Sequence, residues 1–598
     1  MSWISQHGFE MIFVVAYLGI LAHHAWSSRG TRFDSAKMPY WAIAISFFAT
    51  FVSTNSFIGH AGKSWDIGLV WYLKLLSYVL FISLAWFVVA PRFFEKKEQY
   101  GSRTVADFLG YHYDSVLVRR VAAAIIVLAS ILYLVAVYKA ASLGFQQFFG
   151  FDYTTSLLII FGIVTAYTYL GGFGAVVKTD AWQGMFLAVG GIAIFIAVLV
   201  HGGGISTLLS DLRAQDPALV SWQGKMPFIE IVGLAMAGGV KMLVDPRQVS
   251  RFYGLKSQQE IWKAGIIASS LIIITYICLL PVGAFARALI PVGEITDSDE
   301  VMPYLLGQAE ILGVFGSVLL LVLISAAMST LDSVLLVVAS VADQDLLIKG
   351  ERLTRASLTS WKKKYTIPAL MKDKVEDLLH REDLDLGQVR EELDTRLGLL
   401  EPGTLDRNSS NQSWRLSPWN KWKFSKTAHN KQVERLLNFV PPNVMAKVDD
   451  LVGRKYQTLK QFQKTLGERL TKNEWERYGP SFMEMINLPA VRRQRPWLIG
   501  VSLVSMLLAI NPFAGIVEVT AFAGSVYAAC FLPTMIGGLF WRGTARATLT
   551  CMLLGAISVT TWFFLKKTGW TGWHEVYVGI VVGTASFILV SWAKARDR

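Results

Sequence analysis

The feature that most constrains this chain is one repeated length. Runs of about 20 mostly apolar residues, the number a helix needs to cross the hydrocarbon core of a bilayer, recur from end to end. Thirteen candidate spans are legible: residues 8–26, 39–62, 67–90, 119–148, 153–170, 180–201, 227–250, 262–288, 309–342, 496–512, 514–540, 546–565 and 573–593. With 53% hydrophobic and only 17% charged residues and a mean hydropathy of +0.42, 598 residues cannot make a soluble globule. The expected fold class is an all-α membrane protein.

No Lys or Arg precedes the first run and no small-residue cleavage site follows it, so it reads as a retained span rather than a signal peptide. Arg29, Arg32 and Lys37 follow the first span, Arg92, Lys96, Lys97 and Arg103 the third, and Arg247, Arg251 and Lys256 the seventh. Basic residues gather on cytoplasmic loops. Those loops are therefore predicted inside, with the N-terminus outside and the C-terminal AKARDR cytoplasmic, in what is expected to be a bacterial inner membrane. The same pattern explains the net charge of +13 without nucleic acid. Cys278, Cys530 and Cys551 all lie in apolar runs, which argues for packing rather than disulfides or a thiolate metal site.

One segment interrupts the pattern. The chain divides into residues 1–348 with nine spans, a charged stretch at 349–495, and residues 496–598 with four more spans. The middle stretch holds 29 Lys and Arg against 19 Asp and Glu, so +10 of the net charge lies there. Its apolar spacing in MKDKVEDLLHREDLDLGQVREELDTRLGLL is helical. It is expected to be a mainly helical cytoplasmic insertion that meets a cytoplasmic partner or, through WKKK and KWKFSK, anionic lipid.

Within the spans, polarity is placed deliberately. In LISAAMSTLDSVLLVVASVADQDL, residues 323–346, a helical projection puts Ser325, Ala326, Ser329, Thr330, Asp332, Ser333, Ser340 and Asp343 on one stripe. Such groups at membrane depth face a bundle interior or a wet cavity and mark function. Two other spans are weakened: ISFFATFVSTNSFIGHAG by Ser53, Thr54, Asn55, Ser56, Gly59 and Gly62, and GLAMAGGVKMLVDPRQ by Gly238, Gly239 and Pro246. Broken helices five spans apart point to an inverted-repeat transporter whose unwound backbone holds substrate and ion at mid-membrane.

Three motifs add a resemblance. YLGGFGAVVKTDAWQ at 169–183, LISAAMSTLDS at 323–333 and AFAGSVYAACFLPTMIGGLFWRGTARAT are similar, in that order, to blocks of the sodium/solute symporter family, which includes sodium/proline and sodium/sugar cotransporters. The resemblance covers nearly all the membrane part and leaves the insertion unaccounted for. It implies a LeuT-type inverted repeat of 5+5 helices, with one extra helix before and two after. It also implies a Na+ site from the carbonyls of Ala49, Val52 and Ala326 and the hydroxyls of Ser329 and Thr330. Asp180 matches an acidic residue that in relatives serves a second cation or a proton-linked position, while a cap at a helix start is the structural alternative. No role is inherited for Asp332, which is expected to hydrogen-bond within the inner cavity.

Substrate candidates come from polar groups near the breaks and from ionisable residues at membrane depth. Ser53, Asn55 and Ser56 line the first break. Lys139 lies in LYLVAVYKAASLG beside Tyr133 and Tyr138, without a partner close in sequence, and is expected to face the central cavity. Lys241 and Asp245 stand one turn apart, where they would neutralise each other, and His60 follows the first break. Where proline carriers have an acidic residue, this chain has Phe51 or Val52, and the glutamine of the sugar carriers is missing. The combined expectation is a Na+-coupled symporter importing a small polar organic solute, a carboxylate or zwitterion rather than a sugar, by alternating access. It needs no organic cofactor, and its other partner is the lipid bilayer. No nucleophile and base, metal cluster or phosphate loop suggests an enzyme. The competing expectation is a transporter-derived sensor that signals through the insertion.

Overall fold

The computed structural model describes residues 39–100, 102, 104–291, 293–308, 315–346, 351–352, 455–456, 465, 467–471, 494–541 and 543–596, with isolated positions between 12 and 23. The chain divides into two units, residues 1–349 with 493–598, and residues 350–492. In the second, Glu351–Arg352 pairs antiparallel with Lys455–Tyr456. Most of the expected helical insertion, with its partner or lipid surface, lies outside the described residues, as does most of the first span.

The described part of the first unit is mainly helical. The helices that position the site are α1 (Tyr40–Phe51), α2 (His60–Ile67), α3 (Leu73–Leu84), α4 (Val116–Phe149), α5 (Tyr153–His201), α6 (Phe228–Val244), α7 (Pro246–Phe252), α8 (Gln258–Leu279), α9 (Phe315–Val341), α10 (Ile516–Phe540), α11 (Ala545–Lys567) and α12 (Glu575–Arg596). Their starts follow the local chemistry. Ser115, Asp152, Ser257 and Thr544 each accept a backbone N–H from the first turn of α4, α5, α8 and α11.

Nine described helices are long and apolar enough to cross a membrane, and Tyr40–Phe51 and Gln494–Ile510 are shorter apolar helices. One of the nine, Asn55–Lys96, and the continuous helix α5 are too long for one crossing, and side-chain bonds show where each folds back. His60 Nε2 lies 3.2 Å from the Tyr78 hydroxyl, although a straight helix would put residues 18 apart about 27 Å from each other. The turn falls at Gly68, whose φ of 82° suits glycine and whose absent Cβ leaves room for the Leu219 backbone. In α5, Tyr167 Oη bonds Thr179 Oγ1 at 2.7 Å across 12 residues, about 18 Å of straight helix. That segment therefore bends sharply between the two, at the boundary the apolar runs mark.

Burial separates inner from outer helices. The apolar windows of Val322–Leu346 and Ile516–Phe540 are 94% and 89% buried, that of Ala545–Lys567 only 33%. So α9 and α10 form the centre, packed on α4, α5 and α6, while α11 and α12 pack on each other and expose Leu553, Ile557, Phe564, Val581 and Leu589. These side chains suit lipid tails, which are as apolar as leucine.

Both expected breaks exist, and the second is displaced. α1 ends at Val52 in extended backbone (φ −78°, ψ 92°), and helix resumes through a wide turn at Asn55–Gly59. α6 runs unbroken through Gly238 and Gly239 and stops at Asp245 (φ −65°, ψ 122°), before Pro246. The proline, which disfavours helix in the residue before it, makes the break. The glycines serve packing: a Cβ would lie 3.0 Å from Lys74 Cε at Gly238 and 2.3 Å from Ser77 Oγ at Gly239.

Candidate functional site

The first break rearranges backbone bonding. In a continuous helix the Ala49 carbonyl would accept the Ser53 N–H. Here that N–H donates to Ser56 Oγ at 3.1 Å, and Ser56 N–H turns to the Ser53 carbonyl at 2.8 Å rather than to Val52. The run of Ser, Thr and Asn side chains offers the backbone these alternatives, which is why helix yields here. The released Ala49 carbonyl accepts a hydrogen bond from Ser329 Oγ of α9 at 2.9 Å. Thr330 Oγ1, the next hydroxyl, is buried without a hydrogen-bond partner, as is Ser325 Oγ, and Ala326 between them is fully buried. Thus Ala49 and Ser329 touch, Val52 lies at the break, and Ala326 and Thr330 flank Ser329 on one helix. Neutral oxygens, two of them on freed backbone, are the donor set a hard monovalent cation takes at mid-membrane.

A second cluster lies one turn away along α1 and α9. Arg251 of α7 reaches back, its Nη2 donating to Thr50 Oγ1 at 2.7 Å, Ser333 Oγ at 2.7 Å and Asp180 Oδ2 at 3.0 Å. Asp180 Oδ2 also accepts from Ser46 Oγ at 2.6 Å. Asp180 therefore does not cap a helix start. It lies inside α5 as half of a buried ion pair that ties α1, α5, α7 and α9 together. Asp332 is fully buried, and no hydrogen bond joins its carboxylate to another described helix.

The third cluster is aromatic and basic. Tyr276 Oη bonds Ser56 Oγ at 2.6 Å, and Tyr133 Oη donates to Ser53 Oγ at 3.3 Å. Around the break, Tyr78 and Tyr276 meet edge to face at 4.6 Å between centroids, Phe51 lies 5.2 Å from Tyr78, and His60 lies 5.7 Å from Trp71. Asn55 is buried with its Oδ1 unpartnered. Lys74 Nζ stands 4.5 Å over the Trp71 ring and Lys241 Nζ 5.2 Å over Tyr133. Arg247 covers Tyr133 at 3.8 Å.

Three expected substrate residues stand elsewhere or pair otherwise. Lys139 is not an unpartnered cation facing the cavity: its Nζ donates to Asp299 Oδ2 at 2.6 Å, with Asp297 at 3.6 Å. The partner was invisible from spacing because it lies 160 residues away. Burial pushes the Asp299 carboxyl above the usual range, and Lys139 opposes that shift. Tyr138 points away from the break and bonds Ser502 Oγ at 2.7 Å; Tyr133 takes the position expected of it. Asp245 does not neutralise Lys241, because Arg247 claims both its oxygens. Lys74 was missed altogether: it lies in an apolar run whose only signal was the charge itself.

A family model described as the sodium:solute symporter family matches residues 34–368. The chain is 27% identical over 327 residues to the sodium/pantothenate symporter of Haemophilus influenzae, covering 53% of this chain and 65% of that protein. It is 28% identical over 314 residues to the sodium/proline symporter of Staphylococcus aureus, covering 52% and 61%. The chain thus spans less than two thirds of the length of these curated relatives. Among solved structures it is similar to a Na+-coupled sialic acid symporter in a substrate-bound outward-open state. The TM-score is 0.64 at 15% identity, over 99% of this chain and 97% of that one, a likeness of fold.

Proposed function

We infer that this chain, a multi-pass membrane protein that belongs to the sodium:solute symporter family, is a sodium-coupled symporter importing a small polar organic solute by alternating access. The observation that carries the reading is the Ala49 carbonyl, freed by the first break and met by Ser329 beside the unpartnered Thr330 hydroxyl. Na+ would be held by the carbonyls of Ala49, Val52 and Ala326 and the hydroxyls of Ser329 and Thr330. Asp180, whose Oδ1 is buried without a hydrogen-bond partner, is the proposed second cation or proton-linked position.

The two breaks fit a LeuT-type 5+5 inverted repeat, with one helix before and two after it and about 13 spans in all. The basic loops favour an outside N-terminus and a cytoplasmic C-terminus in a bacterial inner membrane. An ion that bridges α1 and α9 stabilises one arrangement of those helices and so couples its own binding reciprocally to that of solute. The solute site is proposed at Ser53, Asn55 and Ser56 with Tyr133, Tyr276 and Lys241. The surplus of buried cations there favours a carboxylate or zwitterion over a sugar.

The relatives' named substrates supply the first trials. Proteoliposomes given an inward Na+ gradient should accumulate one of pantothenate, proline or a set of related acids and sugars. Uptake indifferent to the gradient for every solute removes the reading.

A further inference from the structure

We propose that Lys74, Lys241 and His60 form a clasp for an organic carboxylate that carries no ammonium group; this assignment of substrate class rests on the symporter reading above. Lys74 is 3% exposed and Lys241 8%, yet among the described residues each amine has a single distant hydrogen-bond acceptor, the Leu234 carbonyl at 3.5 Å and the Thr520 carbonyl at 3.4 Å. No described carboxylate lies within ion-pairing distance of either. The acids nearby are already taken: Asp245 by Arg247, Glu518 by Lys63 at 2.8 Å and Asp299 by Lys139.

Burying a lysine at membrane depth is costly. Aromatic faces offset part of this cost. A buried amine keeps its proton only where an anion meets it, and among the described residues no carboxylate within ion-pairing distance does so.

Geometry sets both amines on one face of α6. Lys74 lies against α6 at Gly238, where a side chain would meet its Cε and Nζ at 3.0 and 3.1 Å, and Lys241 follows three residues later on the same face of α6. Gly524 of α10 leaves equal room for the Lys241 stem. His60 turns Nε2 to Tyr78 and keeps a buried, unpartnered Nδ1 as a further polar contact. Trp71, Tyr78, Tyr276 and Phe51 supply apolar walls for the body of the solute. An amino acid would bring its own ammonium into a site with two cations and no free carboxylate, so it is rejected by repulsion.

The test compares solutes that differ in charge alone, by thermal shift of the full-length protein in detergent: benzoate against benzamide, pantothenate against pantothenol, and proline. At least one acid should stabilise the protein where its neutral counterpart does not, and proline should have no effect. Lys74→Gln and Lys241→Gln should each weaken acid binding about tenfold, the loss expected for one charged hydrogen bond, while Lys263→Gln on the exposed face of α8 should not. If the variants fail to fold, the matched solutes still decide on the unmodified protein. Stabilisation by no acid, by amide or alcohol equally, by proline as well as by pantothenate, or by inorganic phosphate alone overturns the clasp. So does unchanged acid affinity in both folded variants. Repeating the titration with choline in place of Na+ separates the two readings: acid binding and uptake both indifferent to Na+ sink the coupling and leave the clasp.

Discussion

The Ser329 and Thr330 hydroxyls differ in one respect that matters: the first already meets the Ala49 carbonyl and the second has no partner. If both are sodium ligands, replacing either with Ala should raise the half-saturating Na+ concentration of uptake by about tenfold, the worth of one charge-assisted contact. Unchanged sodium dependence in both variants would place the ion elsewhere. Arg251 makes a different kind of claim. Removing it leaves Asp180 charged and buried without its counterion, a loss of about 3 to 5 kcal/mol. Arg251→Gln should therefore lower the unfolding temperature clearly, and Asp180→Asn in the same chain should restore much of it. Failure of that rescue would mean that the arginine acts through Thr50 and Ser333 instead. Residue identities near the first break were legible because hydroxyls and amides in an apolar run have few other uses. Lys139 was misread for the opposite reason: its chemistry is plain, but its partner, Asp299, comes from a distant loop.

At the level of elements, the two breaks have separate causes that the residues announce unequally. Proline acts on the residue before it, so the second break sits at Asp245, whereas Gly238 and Gly239 remain helical and admit α3. Close approach makes testable demands. A Cβ at Gly283 would fall 1.7 Å from the Ala61 carbonyl oxygen, backbone that cannot swing aside. Gly283→Ala should cost about 1 to 3 kcal/mol or more by overpacking and reduce the yield of folded protein. Gly162, in α5 with nothing within 4 Å of an added Cβ, should accept Ala at no cost or gain about 0.5 to 1 kcal/mol from helix propensity. Equal stability of the two variants, by thermal unfolding in detergent, would contradict the packing described here. The bend between Tyr167 and Thr179 falls at a boundary readable from hydropathy, whereas the turn at Gly68 lies just inside the third apolar run. Continuous helical backbone alone would have hidden the bend, and a hydrogen bond reveals it.

For the whole molecule, the division of the chain at residues 350–492 leads to one discriminating experiment. Deleting residues 349–495 and joining the ends by a short flexible linker should leave sodium-driven uptake within about twofold of the intact chain, since every residue proposed for ion and solute belongs to the other unit. No uptake by the intact chain, together with a partner that co-purifies through residues 349–495, would favour the sensor alternative. The membrane class, the family and the positions where helices weaken follow from the sequence by itself, because apolar length, proline and clustered hydroxyls act locally. Pairing does not act locally. Which carboxylate answers which distant cation, that Asp180 joins Arg251 and Lys139 joins Asp299, and that Lys74 and Lys241 are left without an acid, was decided only by the tertiary structure. Electrostatic partners are chosen by distance in space, and spacing along a chain specifies that distance only within a turn or two of helix.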